Sequence, residues 1–319
     1  MWLTNMGNNS KKTIRIVGAS SAIAQDFLRV ASKVGSEHMF HLYSRDFGFL
    51  PALKINNLTI FTHSFSDFEI AEGCDAVLNF VGLGSPSRVA LESSGLGPLD
   101  LKVDLACMRL LELNPEATYL YMSSGASYGS DFSIPAVDAN ELPEMSKFDL
   151  PREVYGWIKR STEVRHRSLP QYKIINLRIF GYASRNMDLN AGFLLSDLAK
   201  SLLTGEPAQI STEITHRDFI NPEFFHELVD YCLENNLPNT SLDLVSTSSL
   251  AKDELVAALE GIFGLKVKWE ETPPKSNSIS KCNYFSQSTR LGDYGFVNNK
   301  SALEMVIDEL QAIVSSTPG

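Results

Sequence analysis

The chain is short of everything that would mark a metal site. Its four cysteines, Cys74, Cys107, Cys232 and Cys282, lie far apart in sequence. None has the near neighbour that a zinc knuckle or a redox pair needs, so they read as separate reduced thiols. The six histidines form no ligand motif either. His38 and His41 fall in a strand-like run. His166, between Arg165 and Arg167, reads as the solvated face of a helix. No apolar run reaches the roughly 20 residues of a membrane span. The polar start, "MWLTNMGNNSKK", lacks the apolar segment of a secretion signal and reads as a frayed tail over 1–12. The expectation is a cytoplasmic protein with no membrane partner. Positive charge is also scarce: 28 Lys and Arg stand against 38 Asp and Glu, a formal charge of −10. That argues against nucleic acid as a partner, because phosphate backbones select basic surfaces. No internal repeat is visible.

What is present is alternation. "TIRIVGA" (13–19) reads as a strand, and "AIAQDFLRVASKV" follows with Ile23, Phe27, Val30 and Val34 on one helical stripe, ended by Gly35. "HMFHLYS" (38–44), "LTIFTHSF" (58–65) and "DAVLNFVG" (75–82) read as strands. "LDLKVDLACMRLLEL" (99–113) reads as a helix stopped by Asn114-Pro115. "ATYLYMSS" (117–124) is a strand. The next helix takes Asp149 as its cap and Pro151 in its first turn. "YKIINLRIF" (172–180) is a sixth strand. Nearly continuous apolar strands alternating with helices imply a parallel sheet covered on both faces, of the doubly wound Rossmann type. The expected division is a dinucleotide-binding domain over 1–182 and a smaller α/β region over 183–319, with elements near 214–246 returning to the sheet. "EETPPKSNSISK" (270–281) reads as a polar loop.

Ligands bind such sheets at the carboxyl ends of the strands, and four strand ends carry suggestive residues. After the first strand, "GASSAIA" offers Gly18, Ser20, Ser21, Ala22 and Ile23 where a dinucleotide pyrophosphate needs a tight turn and a helix start. Ser21 and Ala24 stand where glycines are usual. After the second strand, Ser44 and Arg45 precede Asp46. An arginine there pairs with a 2′-phosphate, which favours NADP over NAD. A solvated Arg45–Asp46 pair is the plain alternative. After the fourth, "NFVGLGS" brings Phe80, Val81, Gly82, Gly84 and Ser85. After the fifth, "YMSSGASYG" ends the strand at Ser123 and Ser124, and the following helix carries Tyr155 and Lys159 four apart, on one face. Hydride transfer from an alcohol needs a base at the hydroxyl. A phenol ionises near ~10, and an adjacent ammonium lowers that value.

Taken together these segments resemble the extended short-chain dehydrogenases/reductases, the NAD-dependent epimerase/dehydratase family. "VGASSAIAQDFL" is similar to the family's glycine-rich turn, "SSGASYG" to its strand-five motif, "YGWIKRSTE" to its Tyr-x-x-x-Lys helix, "NLRIFGYAS" to the segment after strand six, and "HRDFINPEFF" to its Arg-Asp-aromatic stretch. The resemblance implies Ser124, Tyr155 and Lys159 as catalytic residues. It also implies Ser85, Ser124 and Arg217 as substrate contacts, and a nucleotide-linked sugar as substrate. The expected activity is an epimerase or ketoreductase. The alternatives are reduction of a non-sugar carbonyl compound and a non-catalytic NADP-sensing protein. Gly125 and Ala126 replace the Asp-Glu pair of the 4,6-dehydratases, which argues against that reaction. Gly181 replaces an Asn that holds the diphosphate in many members, with Asn186 and Asn190 further on. Arg217 is either a phosphate contact or a partner of Asp218. Many members pair through two helices of the sheet domain, and the resemblance makes residues 99–113 and the Tyr155 helix the candidates for a homodimer.

Overall fold

A computed structural model describes residues 11–70, 73–82, 86–129, 131–137, 151–271 and 282–316, with backbone alone at 69–70, 86–94 and 151–152. The chain runs β1 (Thr13–Val17), α1 (Ala22–Val34), β2 (Met39–Ser44), α2 (Leu50–Leu53), β3 (Thr59–Ser64), β4 (Ala76–Asn79), α3 (Pro86–Leu113), β5 (Thr118–Ser124), α4 (Pro151–Arg167) and β6 (Lys173–Ile179). It continues through α5 (Leu194–Thr204), β7 (Ala208–Ser211), β8 (His216–Arg217), α6 (Pro222–Glu234), β9 (Thr240–Leu244), β10 (Leu250–Ala251) and α7 (Lys252–Phe263). The last elements are β11 (Val267–Glu270), β12 (Asn283–Tyr284), α8 (Arg290–Asp293) and α9 (Ala302–Ser315).

Seven strands form one sheet in the order β3-β2-β1-β4-β5-β6-β9. Every pairing is parallel. This is the doubly wound Rossmann architecture that the alternation predicts. The order reverses at β1, which pairs with β2 on one side and β4 on the other. The crevice for a ligand in such a sheet opens there, beyond the carboxyl ends. One face is covered by α1 and α6, through Phe27, Leu28, Phe224, Phe225 and Leu228 against Ile14, Leu42, Leu78 and Leu120. The opposite face is covered by α3, where Val103, Cys107 and Leu110 meet Val17, Val77 and Tyr119. Burial on both faces explains why β1, β4, β5 and β6 read as nearly unbroken apolar runs, while the edge strand β3 is largely exposed.

The second half has its own core of Leu195, Leu198, Ile210, Leu255, Leu259, Val306 and Leu310. β9 and α6 belong to the sheet side, and β8 sits between β10 and β12 in a small separate sheet. Local sequence sets several helix starts. Ser21 caps α1, Asn221 caps α6 ahead of Pro222, and Ser301 with Glu304 forms a reciprocal cap on α9.

Two expectations fail here. The helix expected over 99–113 begins at Pro86 and carries Pro98 inside it. Proline is disfavoured in a helix interior, yet the helix continues through Pro98. His166, expected on a solvated face, is fully buried. Its Nδ1 lies 2.5 Å from Asn176 Oδ1 and its Nε2 lies 2.7 Å from Asp104 Oδ1. The flanking arginines suggested solvent, but α4 turns this position inward, where two polar partners satisfy the ring. Asp149 lies outside the described residues. Among the described residues no helix is long and apolar enough to cross a membrane.

Candidate active site

The turn after β1 is built for close approach. Gly18 has φ 78°, and both its N–H and that of Ala19 donate to the Tyr43 carbonyl, at 3.1 and 3.3 Å. A Cβ on Gly18 would stand 3.0 Å from the Phe80 carbonyl carbon and the Val81 nitrogen. The first and fourth strand ends therefore touch, joining Gly18, Phe80 and Val81 in one surface. Ser21 Oγ accepts from the Ala24 N–H at 3.2 Å. Ser20 and Ala22 are exposed, and Ile23 is half-buried. The start of α1 thus presents a positive helix end at the mouth of the sheet.

At the tip of β2, Ser44 is buried while Arg45 and Asp46 are exposed. The Asp46 carboxylate turns back to accept the Gly48 N–H at 3.0 Å. Among the described residues no ion pair joins it to Arg45, so the tip offers a guanidinium with its acidic neighbour turned away.

β5 delivers Ser124 directly into a short 3-10 turn, Gly125–Tyr128, whose first bond is Ser124 Oγ accepting the Ala126 N–H at 3.2 Å. α4 crosses this turn at Gly156. A Cβ there would stand 2.3 Å from the Ala126 carbonyl oxygen. Tyr155 is thereby held next to the strand end that bears Ser124. Lys159, one turn on, is 2% exposed. Its Nζ donates to Tyr121 Oη at 3.0 Å and to Asp100 Oδ1 at 3.3 Å. It also sits 4.5 Å from the Tyr121 ring centre. Burial works against its charge, but Tyr121, Asp100 and Tyr155 outweigh burial and raise its pKa. A Cβ on Gly82 would lie 3.5 Å from that ammonium. Gly18 thus meets Phe80 and Val81, and Gly82, next along that strand end, meets Lys159, whose electrostatic neighbour is Tyr155.

Two residues from the second half complete it. Tyr284 on β12 brings its Oη to 3.4 Å from Ser124 Oγ. Burial, assisted by Tyr155, pushes its pKa up to about 12. Arg217 on β8 stands 5.8 Å from the Tyr284 ring centre and donates to the His216 carbonyl at 3.0 Å. Burial lowers its pKa. Asp218 is not its partner, since that carboxylate accepts the N–H groups of Phe219 and Ser246 at 2.8 and 3.0 Å. The salt bridge that its neighbour suggested is therefore not formed, and Arg217 lies over Tyr284 instead. Tyr284 was missed by sequence reasoning. It follows a polar loop and matches no motif used above. Ser85 and Gly84 lie outside the described residues.

Behind Ser124 lies a buried charged layer. Arg178 pairs with Glu163 at 2.5 Å and with Asp243 at 3.3 Å. Ser123 Oγ donates to Glu163 at 2.5 Å. Tyr128 Oη and Ser286 Oγ donate to Asp243, at 2.8 and 2.5 Å. Asn186 is also committed, donating to Asp26 at 2.8 Å, so its amide is engaged with α1.

Comparison with solved structures places this architecture. The chain superposes on a UDP-N-acetylglucosamine 4-epimerase from Methanobrevibacter ruminantium with a TM-score of 0.78 at 17% identity, covering 96% of this chain and 99% of that one. A UDP-glucose 4-epimerase from Thermotoga maritima gives 0.77 at 15%, over 94% and 99%. A dTDP-glucose 4,6-dehydratase from Bacillus anthracis gives 0.74 at 12%, over 96% and 97%. No protein-family model and no curated protein matches the sequence. The chain has the fold of the extended short-chain dehydrogenases/reductases.

Proposed function

We propose that a chain with this fold and this strand-end constellation is an NAD(P)-dependent enzyme that moves a hydride at a hydroxyl or keto carbon of a nucleotide-linked sugar. The observation that carries the reading is the convergence at the mouth of the sheet. Lys159 lies against Gly82, Tyr155 is an electrostatic neighbour of both Lys159 and Tyr284, Tyr284 reaches Ser124, and the Gly18 turn lies against Phe80 and Val81. Tyr155 exchanges the hydroxyl proton, Lys159 favours its phenolate and reaches the cofactor ribose, and Ser124 holds the substrate oxygen in line. The nicotinamide supplies or accepts the hydride. Gly18, Ser20, Ser21, Ala22 and Ile23 receive the pyrophosphate at the start of α1, with Phe80, Val81 and Gly82 along the adjoining edge. Arg217 and Ser85 are assigned to the substrate. The Thermotoga maritima structure holds UDP-glucose and the Bacillus anthracis structure holds NAD, which supports both ligand classes.

Arg45 supports NADP over NAD, because its guanidinium is exposed while Asp46 is turned toward Gly48. Against 4,6-dehydration stands position 125. A Cβ there would lie 2.5 Å from Phe180 Cδ1, so an acidic side chain has no room until Phe180 moves. Dehydratases share this fold, so the argument rests on Gly125 and Ala126 alone. Exposed Leu101 and Leu105 on α3 and Val164 on α4 support pairing of two chains across these helices.

The deciding experiment incubates the protein with stoichiometric NADPH and a 4-keto nucleotide sugar, and in parallel with UDP-glucose and catalytic NAD. Steady loss of absorbance at ~340 nm, the NADPH band, identifies a ketoreductase. Epimerised UDP-sugar without net cofactor change identifies an epimerase. Absence of both reactions with a panel of nucleotide sugars overturns the substrate class.

A further inference from the structure

The Lys159 ammonium does not stand alone. Three donors converge on the Asp100 carboxyl group, which is 1% exposed. Lys159 Nζ and Tyr121 Oη donate to Oδ1 at 3.3 and 2.8 Å, and Thr162 Oγ1 donates to Oδ2 at 2.8 Å. Every partner is a donor, which is the environment of an ionised carboxylate, an acceptor-only group. The titratable and charged groups that face Lys159 are Asp100 from α3, Tyr121 from β5 and Tyr155 from its own helix. We propose that Asp100 is the buried counter-ion of Lys159: it keeps the ammonium charged and holds it where its remaining N–H meets a ligand beside Gly82.

The physics has two parts. A lysine this deeply buried sheds its proton unless an anion holds it, so Asp100 secures the positive charge. The same ion pair fixes where the ammonium stands, between α3 and β5. Two of its three donors are spent on Tyr121 and Asp100, which leaves one for a ligand beside Gly82. Asp100 is a positioning residue. It touches Lys159, and it acts through the ammonium that it holds.

The inference rests on the role proposed for Lys159, but its test needs no substrate. The full chain is labelled with [13Cε]lysine and titrated by NMR, with Lys159→Met giving the assignment. In the native protein the Lys159 signal is expected to stay protonated beyond the ordinary lysine value of 10.5. In Asp100→Asn, removing one negative charge lowers the Lys159 ionisation by about one pH unit. A Lys159 that titrates at or below 10.5 in the native protein overturns the proposal. So does a Lys159 transition that stays put in Asp100→Asn. If that variant does not fold, the native Lys159 titration decides. Retained turnover in Tyr155→Phe would sink the catalytic reading and leave these titrations standing, so the two failures are distinguishable.

Discussion

Gly156 of α4 faces the carbonyl oxygen of Ala126 across a gap that admits no methyl group: a Cβ would sit 2.3 Å from that oxygen. The contact is backbone against backbone, so neither side yields by a rotamer change. Gly156→Ala is expected to destabilise the fold by about 1–3 kcal/mol, as overpacking does. It should also cut kcat by roughly a hundredfold, because Tyr155 moves relative to Ser124. Thermal unfolding and steady-state rates measure both. An unchanged melting temperature would show that the helix and the turn are not in contact.

Replacing the proposed acid/base separates chemistry from binding. Tyr155→Phe removes a hydroxyl and little volume. Turnover is expected to fall by about 10²–10⁴-fold, the usual worth of a general acid/base. Cofactor affinity, followed by nucleotide fluorescence, should change by no more than a few-fold.

Cofactor choice is tested at the tip of β2. Arg45→Asp exchanges an exposed guanidinium for a carboxylate. The ratio of NADP to NAD affinity is expected to drop by about ten- to a hundredfold, the worth of a charged hydrogen bond to phosphate. A ratio that does not move would remove Arg45 from the cofactor site.

Acid sensitivity follows from His226. Burial holds this imidazole at a pKa of about 4, against an ordinary value of 6.5, with His38 adding to the effect. Its ring stacks on Phe27 at 5.1 Å. The folded value is depressed, so the neutral ring's contribution is full above the unfolded pKa and is lost as pH falls toward the folded one. Between pH 6.5 and 4 this group alone is expected to remove up to about 3 kcal/mol. His226→Phe should flatten that part of the stability–pH curve in urea titrations. A wild-type slope retained in the variant would assign the acid loss to other groups.

Self-association is checked on α3. Leu105→Glu places a charge in the exposed strip of Leu101, Leu105 and Val164. Sedimentation is expected to report a dimer for the native chain and a monomer for the variant. A native chain that sediments as a monomer would remove pairing through these helices.

The sheet was legible because its central strands are buried on both faces and several of its helices begin and end on ordinary cap signals. The Tyr155–Lys159 spacing and the Ser124 strand end were legible as local patterns. The rest of the site was not, because it depends on contacts distant in sequence. Ser124 and Tyr284 are 160 positions apart. Asp100 and Asp104 look like the polar side of an amphipathic helix, since periodicity records where apolar residues fall and says nothing of a polar layer closed between α3, α4 and β5. His166 was misread for the same reason: Asp104 and Asn176, which make its burial tolerable, lie on two other elements.

The meeting of two hydroxyl donors at Asp243 Oδ2 has a mechanical corollary. Tyr128 reaches it from the turn after β5, and Ser286 reaches it from just beyond β12. The strand that carries Tyr284 is thus clamped to the sheet's last rung, so that wall of the crevice travels with the floor. Anything that enters the crevice on that side meets a wall tied to the sheet, and selection there acts through the shape of the entrance and not through the swing of a jaw.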